Sequence, residues 1–255
     1  MVVDPDLEEN IPELTCASCN SLLKEESRYC SFCGSSQVSA ILLQHTNAKI
    51  NKLKQVGIFY GLEIILCLGY TFTESYQTLT GLTVFHVLSA INALFFLIFN
   101  KHHSLNTLLL RNFSCKKLII YVLLTIPASL LVSYLASKIN FILYSANFSY
   151  YQFFKNYSYG KTLMLLYIAI LPAIFEELAY RGYLLQALKD VVDEKQAMFI
   201  SAFLFAIIHI SFISLVWMIP LALVLAYICV KENSIWYGVA IHFTFNLTAC
   251  VLELI

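Results

Sequence analysis

Seven apolar runs, each close to the length of a membrane-spanning helix, dominate this chain of 255 residues. A helix needs about 20 consecutive apolar residues to cross the hydrocarbon core of a bilayer. The runs lie at 55–73, 82–99, 118–136, 162–188, 197–212, 213–230 and 235–253. The composition agrees, because 59% of the residues are hydrophobic and only 13% are charged. We therefore predict an all-α, polytopic transmembrane bundle of about seven helices with a small amino-terminal head.

The loop charges predict how the chain is oriented in the membrane. Three lysines lie between 49 and 54, and four basic residues lie at 101–117 after the second run. Cytosolic loops carry an excess of Lys and Arg, so we predict a multi-pass protein of the cell membrane with a cytosolic amino terminus. The acidic opening segment 1–9 lacks a basic n-region and an apolar h-region, so no cleavable signal peptide is expected. The net charge is zero and there is no basic block, so nucleic acid is not expected as a partner.

Four of the eight cysteines form two CxxC pairs near the amino end, Cys16 with Cys19 and Cys30 with Cys33. Two such pairs, ten residues apart, supply four soft ligands for a tetrahedral zinc ion. We predict a structural zinc ribbon at 14–34, followed by a linker at 35–54. A closed set of four thiolates leaves no position for a substrate, so the ribbon would fold the head and present a surface to a protein partner. Unliganded or redox-active CxxC pairs are the alternative.

Polar groups occur at one depth in three of the predicted membrane helices. Ionisable groups are costly there, so each is a functional hypothesis. Measured from the helix ends predicted to be cytosolic, at ~1.5 Å per residue, these groups lie roughly 10–18 Å deep. They are Glu176, Glu177 and Arg181 in the fourth run, His209 in the fifth, and His242 with Asn246 in the last. We predict that they line one cavity near the bilayer centre, open to the cytosol.

Spacing within the fourth run separates the two carboxylates. Glu177 and Arg181 stand at i and i+4, the favourable order for a helical ion pair. Glu176 is rotated by ~100° from Glu177 and can reach a different partner. Any one of these groups is explained as well by packing, but their common depth on three helices favours a catalytic centre. Glutamate, two histidines and an asparagine can activate water and stabilise an oxyanion at an amide carbonyl.

Four further ionisable groups of the apolar runs and their loops show no matched partners. We predict that they are packing or loop residues: Glu63, His86, His102 and His103.

Three motifs in this region resemble those of the CPBP family, the type II CAAX prenyl endopeptidases and their bacterial relatives, also called Abi proteins. The family's EExxxR is found at 176–181, its FxxxH at 205–209 and its HxxxN at 242–246. The resemblance covers roughly 118–253, which leaves 55–117 as additional amino-terminal transmembrane helices. It implies a metal-independent intramembrane glutamic endopeptidase.

The resemblance also implies a role for each motif residue. Glu176 and His209 would polarise the attacking water. His242 and Asn246 would form the oxyanion hole. The remaining two, Glu177 and Arg181, would support the site.

Other functions stay open at this point. The substrate would be a membrane-associated peptide or protein, with CAAX-type or peptide and bacteriocin processing as the two classes. A metalloprotease is a close variant, because Glu176, His209 and His242 could together ligate zinc. A non-catalytic membrane scaffold or bacteriocin self-immunity factor would use the same cavity for binding alone.

Overall fold

A computed structural model of the chain describes residues 15–16, 18–23, 28–36, 38–100, 106–110, 113–145 and 149–255. The acidic opening segment and the predicted loop residues His102 and His103 lie outside the described residues. The chain divides into two compact units, 1–51 and 52–255. The described part of the chain is mostly helical and contains no β-sheet, only two isolated bridges near the cysteines.

Among the described residues beyond the cysteine-rich head, eight main helices organise the chain. They are α1 (Val38–Phe72), α2 (Leu79–Phe99), α3 (Cys115–Tyr144), α4 (Tyr151–Phe154), α5 (Gly160–Lys189), α6 (Glu194–Ile207), α7 (Leu215–Glu232) and α8 (Trp236–Leu254). Six of them, α1, α2, α3, α5, α7 and α8, are long and apolar enough to cross a membrane. The predicted all-α polytopic bundle is confirmed. Much of the segment predicted as a linker is helical, because α1 begins at Val38.

The exception among the predicted spans is 197–212. Its helix, α6, has 14 residues and is about 21 Å long, shorter than the ~30 Å hydrocarbon core. A turn at 208–214 joins it to α7, which packs against it. The pair therefore forms a helical hairpin, and His209 lies at its tip.

Polar contacts gather the ends of several helices at one end of the bundle, here called the polar end. Lys52 Nζ lies 3.3 Å from an oxygen of Asp190 and donates to Asn100 Oδ1 at 2.7 Å. Lys117 forms an ion pair with Glu232. The contacts of Lys52 bring together the ends of α2 and α5, and the ion pair joins the start of α3 to the end of α7. The end of α7 belongs to the same end of the bundle, because α7 runs back along α6, which begins four residues after Asp190. The hairpin of α6 and α7 thus both begins and finishes at the polar end.

The opposite end, here called the far end, is held by a second set of contacts. Glu253, near the carboxyl end of α8, accepts hydrogen bonds from the Ser149 hydroxyl at 2.8 Å and from the Tyr151 amide at 3.0 Å. The Leu79 amide at the start of α2 donates to the Tyr157 hydroxyl at 3.4 Å. Together the two ends show that α1, α3 and α8 run one way and α2, α5 and α7 run the other.

The long helix α5 is not regular. It contains two wider π-helical stretches, Leu165–Ile170 and Leu178–Leu184. A widened helix leaves carbonyls that side chains must satisfy, and such stretches are frequent at functional sites. Here the Ser201 hydroxyl donates to the Tyr180 carbonyl at 3.2 Å, and Gln186 Nε2 donates to the Arg181 carbonyl at 3.0 Å. The second stretch begins directly after the paired glutamates.

Candidate active site

Glu177 joins two of the three motifs. Its Oε1 accepts hydrogen bonds from Arg181 Nη1 at 2.8 Å and from His242 Nδ1 at 3.0 Å. Glu177 and Arg181 are both fully buried, and Arg181 also donates from Nη2 to the Ala222 carbonyl at 3.1 Å. The predicted i,i+4 ion pair is therefore present, and His242 is an additional partner that the spacing did not predict. A buried ion pair is tolerated only when its polar atoms are hydrogen-bonded in this way.

The absence of a side chain at Gly238 makes room for this carboxylate. A Cβ atom built at Gly238 would lie 2.8 Å from Glu177 Oε2. Real Cβ atoms essentially never approach another atom so closely. Helix α8 can therefore pack against α5 at this level only because residue 238 has no side chain.

Glu176 points to different neighbours from Glu177, as the ~100° rotation predicts. Its Oε2 lies 3.9 Å from His242 Nε2, too far for a hydrogen bond but close enough for an ion pair. The same oxygen is buried and has no hydrogen-bond partner among the described residues. Glu176 thus offers an unsatisfied acceptor to whatever enters the space beside it.

The contact with Glu177 also determines what His242 can do. An ionised carboxylate only accepts hydrogen bonds, so His242 Nδ1 must carry a hydrogen. In the neutral ring, Nε2 is then an acceptor. When the ring is doubly protonated, Nε2 becomes a donor, flanked by the carboxylates of Glu176 and Glu177.

A hydrogen bond to a backbone carbonyl at the end of α6 orients the His209 ring. The last four carbonyls of a helix have no partner within the helix. His209 Nδ1 lies 2.9 Å from the Phe205 carbonyl, and the Tyr60 hydroxyl of α1 donates to the Leu204 carbonyl at 2.9 Å. Because a carbonyl only accepts, His209 Nδ1 carries the hydrogen and Nε2 is left as an acceptor in the neutral ring.

The aromatic residue of the FxxxH motif packs against groups from all three motifs. The Arg181 guanidinium lies 4.5 Å from the centre of the Phe205 ring, a distance at which a cation–π interaction is favourable. The rings of His209 and His242 have their centres 5.1 Å and 5.9 Å from that of Phe205. Phe205 therefore fixes the spacing between the charged pair on α5 and the two histidines.

Asn246 satisfies a defect in α5. Pro172 has no amide hydrogen, so it cannot bond the Ile168 carbonyl one turn earlier. Asn246 Nδ2 donates to that carbonyl at 2.9 Å. A primary amide carries two N–H donors, so the second N–H and the oxygen of Asn246 are not used by this contact.

A cavity of about 190 Å³ lies beside Glu176 and His209. Its lining extends to Thr71, one residue before the end of α1 at the far end of the bundle. The prediction that the cavity opens to the cytosol stays a prediction, because the lining residues do not show on which side it opens. The structure places only part of the predicted site in the lining, since His242 and Asn246 are not among the lining residues. They are joined to the site instead through Glu177 and through the backbone of α5.

Two residues predicted to be packing residues line this cavity. Glu63 on α1 and His86 on α2 face it together with Glu176. Glu63 is 4% exposed, and its two oxygens accept hydrogen bonds from Asn92 Nδ2 at 2.7 Å and the Ser89 hydroxyl at 2.8 Å. It lies eleven residues after Lys52, about 17 Å from the polar end. The depth argument applied to Glu176 would therefore have selected Glu63 as well.

The four amino-terminal cysteines form a group fit to hold a metal ion. Their sulfur atoms lie within 4.8 Å of one another, with Cys16 3.6 Å from Cys33 and Cys19 3.7 Å from Cys30. Four sulfurs at ~2.3 Å from a tetrahedral zinc would be about 3.8 Å apart. The Ser35 hydroxyl, 3.2 Å from the Cys16 sulfur, lowers the pKa of the Cys16 thiol to about 5 and so favours the ligating thiolate.

The membrane residues do not form a comparable group. Among the described residues, the cysteines are the one set of three or more His, Cys, Asp or Glu side chains whose ligand atoms come so close. Glu176, His209 and His242 therefore do not converge as a three-ligand metal site.

Residues 158–248 match the model of a family described as type II CAAX prenyl endopeptidase Rce1-like. This segment contains all three motifs, so the resemblance drawn from them is confirmed. No curated protein and no solved structure matches the chain. The family match supports a CAAX-type intramembrane endopeptidase at the level of the family, and with the six apolar helices it supports a multi-pass membrane protein.

The close approach at Gly238 predicts a matched pair of variants. Gly238→Ala should lower the free energy of unfolding of the detergent-solubilised protein by about 1–3 kcal/mol, because the new methyl group overlaps the Glu177 carboxylate. Gly61→Ala is the control, since a Cβ atom on that helical glycine meets nothing within 4 Å. It should be neutral or stabilising by up to about 1 kcal/mol. Equal unfolding temperatures for the two variants would contradict the steric explanation.

The contact between Asn246 and the Ile168 carbonyl predicts a coupling with Pro172. Asn246→Ala should cost about 1–3 kcal/mol of stability, because the carbonyl loses its donor. Pro172→Ala restores a backbone N–H that can bond the same carbonyl. In that background the cost of Asn246→Ala should be clearly smaller, as measured by thermal unfolding in a double-mutant cycle. Additive effects would mean that Asn246 does not compensate for the proline.

Proposed function

We propose that this protein hydrolyses a peptide bond of a membrane-associated peptide or protein within the bilayer. The observation that carries the proposal is the unpartnered, buried Oε2 of Glu176, which lies beside His209 on a cavity at membrane depth. The motif match over 158–248 supports the same chemistry. A prenylated CAAX tail and a peptide or bacteriocin precursor are the two substrate classes.

Glu176 and His209 would activate the water. A water molecule in the cavity can donate one hydrogen to Glu176 Oε2 and the other to His209 Nε2, the two acceptors left open there. Glu176 takes the proton as the oxygen attacks the scissile carbonyl carbon. When the tetrahedral intermediate collapses, Glu176 returns that proton to the leaving amine, so the general base becomes the general acid.

His242 and Asn246 would stabilise the negative charge that develops on the carbonyl oxygen. With Nδ1 bonded to Glu177, His242 can donate from Nε2 when the ring is doubly protonated. The second N–H of Asn246 would be the other donor. Removing one such donor costs about 10²–10³ in turnover in other hydrolases.

Glu177 and Arg181 would act as positioning residues. Neither residue lines the cavity. Glu177 Oε1 is shared between Arg181 and His242, whereas Glu177 Oε2, which faces Gly238, and Arg181 Nε have no hydrogen-bond partner among the described residues. The role of the pair would be to hold His242 against Glu176. No catalytic metal is needed in this mechanism.

Substitution of Glu176 tests the proposal directly. Glu176→Gln removes the base but keeps the side-chain volume, and it should lower proteolysis by at least about 10²-fold. Comparison of the membrane proteomes of cells that express the wild type and the variant at equal levels should reveal a cleaved fragment that disappears. Glu74→Gln is the control, because Glu74 is an exposed carboxylate outside the cavity. An unchanged proteome with self-protection retained would favour the scaffold or immunity alternative.

We also propose that the cysteine group binds structural zinc. The purified full-length chain should carry about one zinc per molecule, measured by elemental analysis, because four thiolates close the coordination shell. A variant with both Cys19→Ser and Cys33→Ser should lose it. Proteolysis by that variant should also resist chelators, and sensitivity to chelation would instead indicate a catalytic metal.

We place the polar end of the bundle in the cytosol. Lys52, Lys117, Lys189 and Lys231 lie near this end, and cytosolic segments are enriched in basic residues. An epitope inserted in the turn at 190–193 should then be digested by protease in inverted vesicles and protected in right-side-out vesicles. The opposite pattern would reverse the assignment.

A further inference from the structure

Glu63 belongs to a polar group that lies outside the segment matched by the family model. It comes from α1, and its two hydrogen-bond donors, Ser89 and Asn92, come from α2. Asn92 Nδ2 also reaches the Phe59 carbonyl at 3.2 Å, which ties the amide to the backbone of α1. The carboxylate is therefore held rigidly at the interface of the first two transmembrane helices, facing the cavity that Glu176 also lines.

This carboxylate has no counter-charge. Its oxygens accept from an amide and a hydroxyl, both neutral, and no Lys, Arg or His among the described residues forms an ion pair with it. Arg181, at a similar depth, is committed to Glu177. The ionised form of a carboxyl group buried at membrane depth is expensive without a counter-charge, and ionisable groups in such places mark substrate or ion sites.

A second polar side chain on the same cavity, Tyr180, has a hydroxyl group without a hydrogen-bond partner among the described residues. Tyr180 lines the cavity and is 3% exposed. Its ring packs edge-on against Phe59, one helical turn before Glu63. Buried hydroxyl groups are nearly always hydrogen-bonded in folded proteins, so this one can bond a water or a ligand that enters the cavity.

Apart from Glu176 Oε2, which the proposed mechanism reserves for the attacking water, the cavity lining presents two further acceptors: the Glu63 carboxylate and the Tyr180 hydroxyl oxygen. A primary ammonium group has three donors, one positive charge and no acceptor. The lining also includes the apolar side chains of Phe85, Leu171 and Pro172. An aminoalkyl chain places a charged head on a methylene stem and can contact both kinds of lining. The volume of about 190 Å³ far exceeds the ~10–15 Å³ that one water needs, so there is room for such a chain.

We propose that this cavity is a subsite for a primary ammonium group and that Glu63 is its specificity-determining residue. The ammonium comes from a lysine side chain or a free amino terminus of the substrate. The claim that the ammonium belongs to a substrate rests on the protease function proposed above. The claim that the cavity binds an ammonium group is independent of that function.

Thermal unfolding of the full-length protein in detergent tests ammonium binding without any assumption about catalysis. n-Butylammonium chloride is the probe, and n-butanol at equal concentration is its uncharged analogue. A saturating ammonium should raise the unfolding temperature by roughly 3–5 °C, and the alcohol should not. Glu63→Gln should abolish the rise, while Glu74→Gln, which changes an exposed carboxylate, should retain it. Equal effects of the two probes on the wild type would overturn the proposal.

Two features of the chain keep this test interpretable. Glutamine can replace Glu63 without losing its hydrogen bonds, because the Ser89 hydroxyl can accept as well as donate. Tyr180→Phe removes only a hydroxyl that has no partner, so the variant should fold normally and still bind n-butylammonium several-fold more weakly. Full binding by both Glu63→Gln and Tyr180→Phe would exclude this cavity as the ammonium site.

Peptide cleavage then distinguishes the source of the ammonium. One series carries lysine or norleucine beside the scissile bond with an acetylated amino terminus. A second series carries norleucine with a free or an acetylated amino terminus. In the series whose ammonium enters the cavity, the peptide with the ammonium should be cleaved at least about 10-fold faster than its uncharged counterpart. Glu63→Gln should remove that difference in rate. Cleavage without any preference would refute the subsite alone, whereas ammonium binding without cleavage of any peptide would refute the protease function alone.

Discussion

The buried carboxylate of Glu177 is the interaction on which the arrangement of the membrane core depends. It binds the Arg181 guanidinium on its own helix and the His242 imidazole on α8 through a single oxygen. Neither charge has access to water, so loss of any one member would leave the others unpaired at high cost. Gly238 and Phe205 make this contact sterically feasible, the first by lacking a side chain and the second by covering the guanidinium. Four helices are thus tied to one ion pair.

Two of the motif residues also repair the backbone of the helices they touch. Asn246 bonds a carbonyl that Pro172 leaves open in α5, and His209 bonds a carbonyl at the end of α6. In each case one polar atom of the side chain is bonded to the carbonyl, and this contact fixes the orientation of the remaining polar atoms. In His209 the repair selects the tautomer whose Nε2 accepts. The stability and the chemistry of this site therefore come from the same contacts and cannot be separated by single substitutions.

The sequence predicted the transmembrane bundle and the grouping of motif residues well, because apolar length and helical depth are local properties. It predicted the Glu177–Arg181 pair for the same reason. No single apolar run encodes how separate helices pack. Three features depend on that packing: the contact from His242 to Glu177, the extent of the cavity lining and the position of Glu63. The shortness of α6 was missed because the turn at 208–214 is nearly as apolar as the helices beside it. Glu63 was missed because its partners, an amide and a hydroxyl, carry no charge.

The hairpin of α6 and α7 places irregular backbone inside the bundle. Helix α6 is about 21 Å long, so the turn at 208–214 that carries His209 lies well within the ~30 Å hydrocarbon core. Non-helical backbone at that depth is tolerated only where it is buried in protein or lines a cavity that holds water. Ile208 and His209 of this turn line the cavity beside Glu176. The turn that interrupts the helix thus creates a need for water at the level of Glu176.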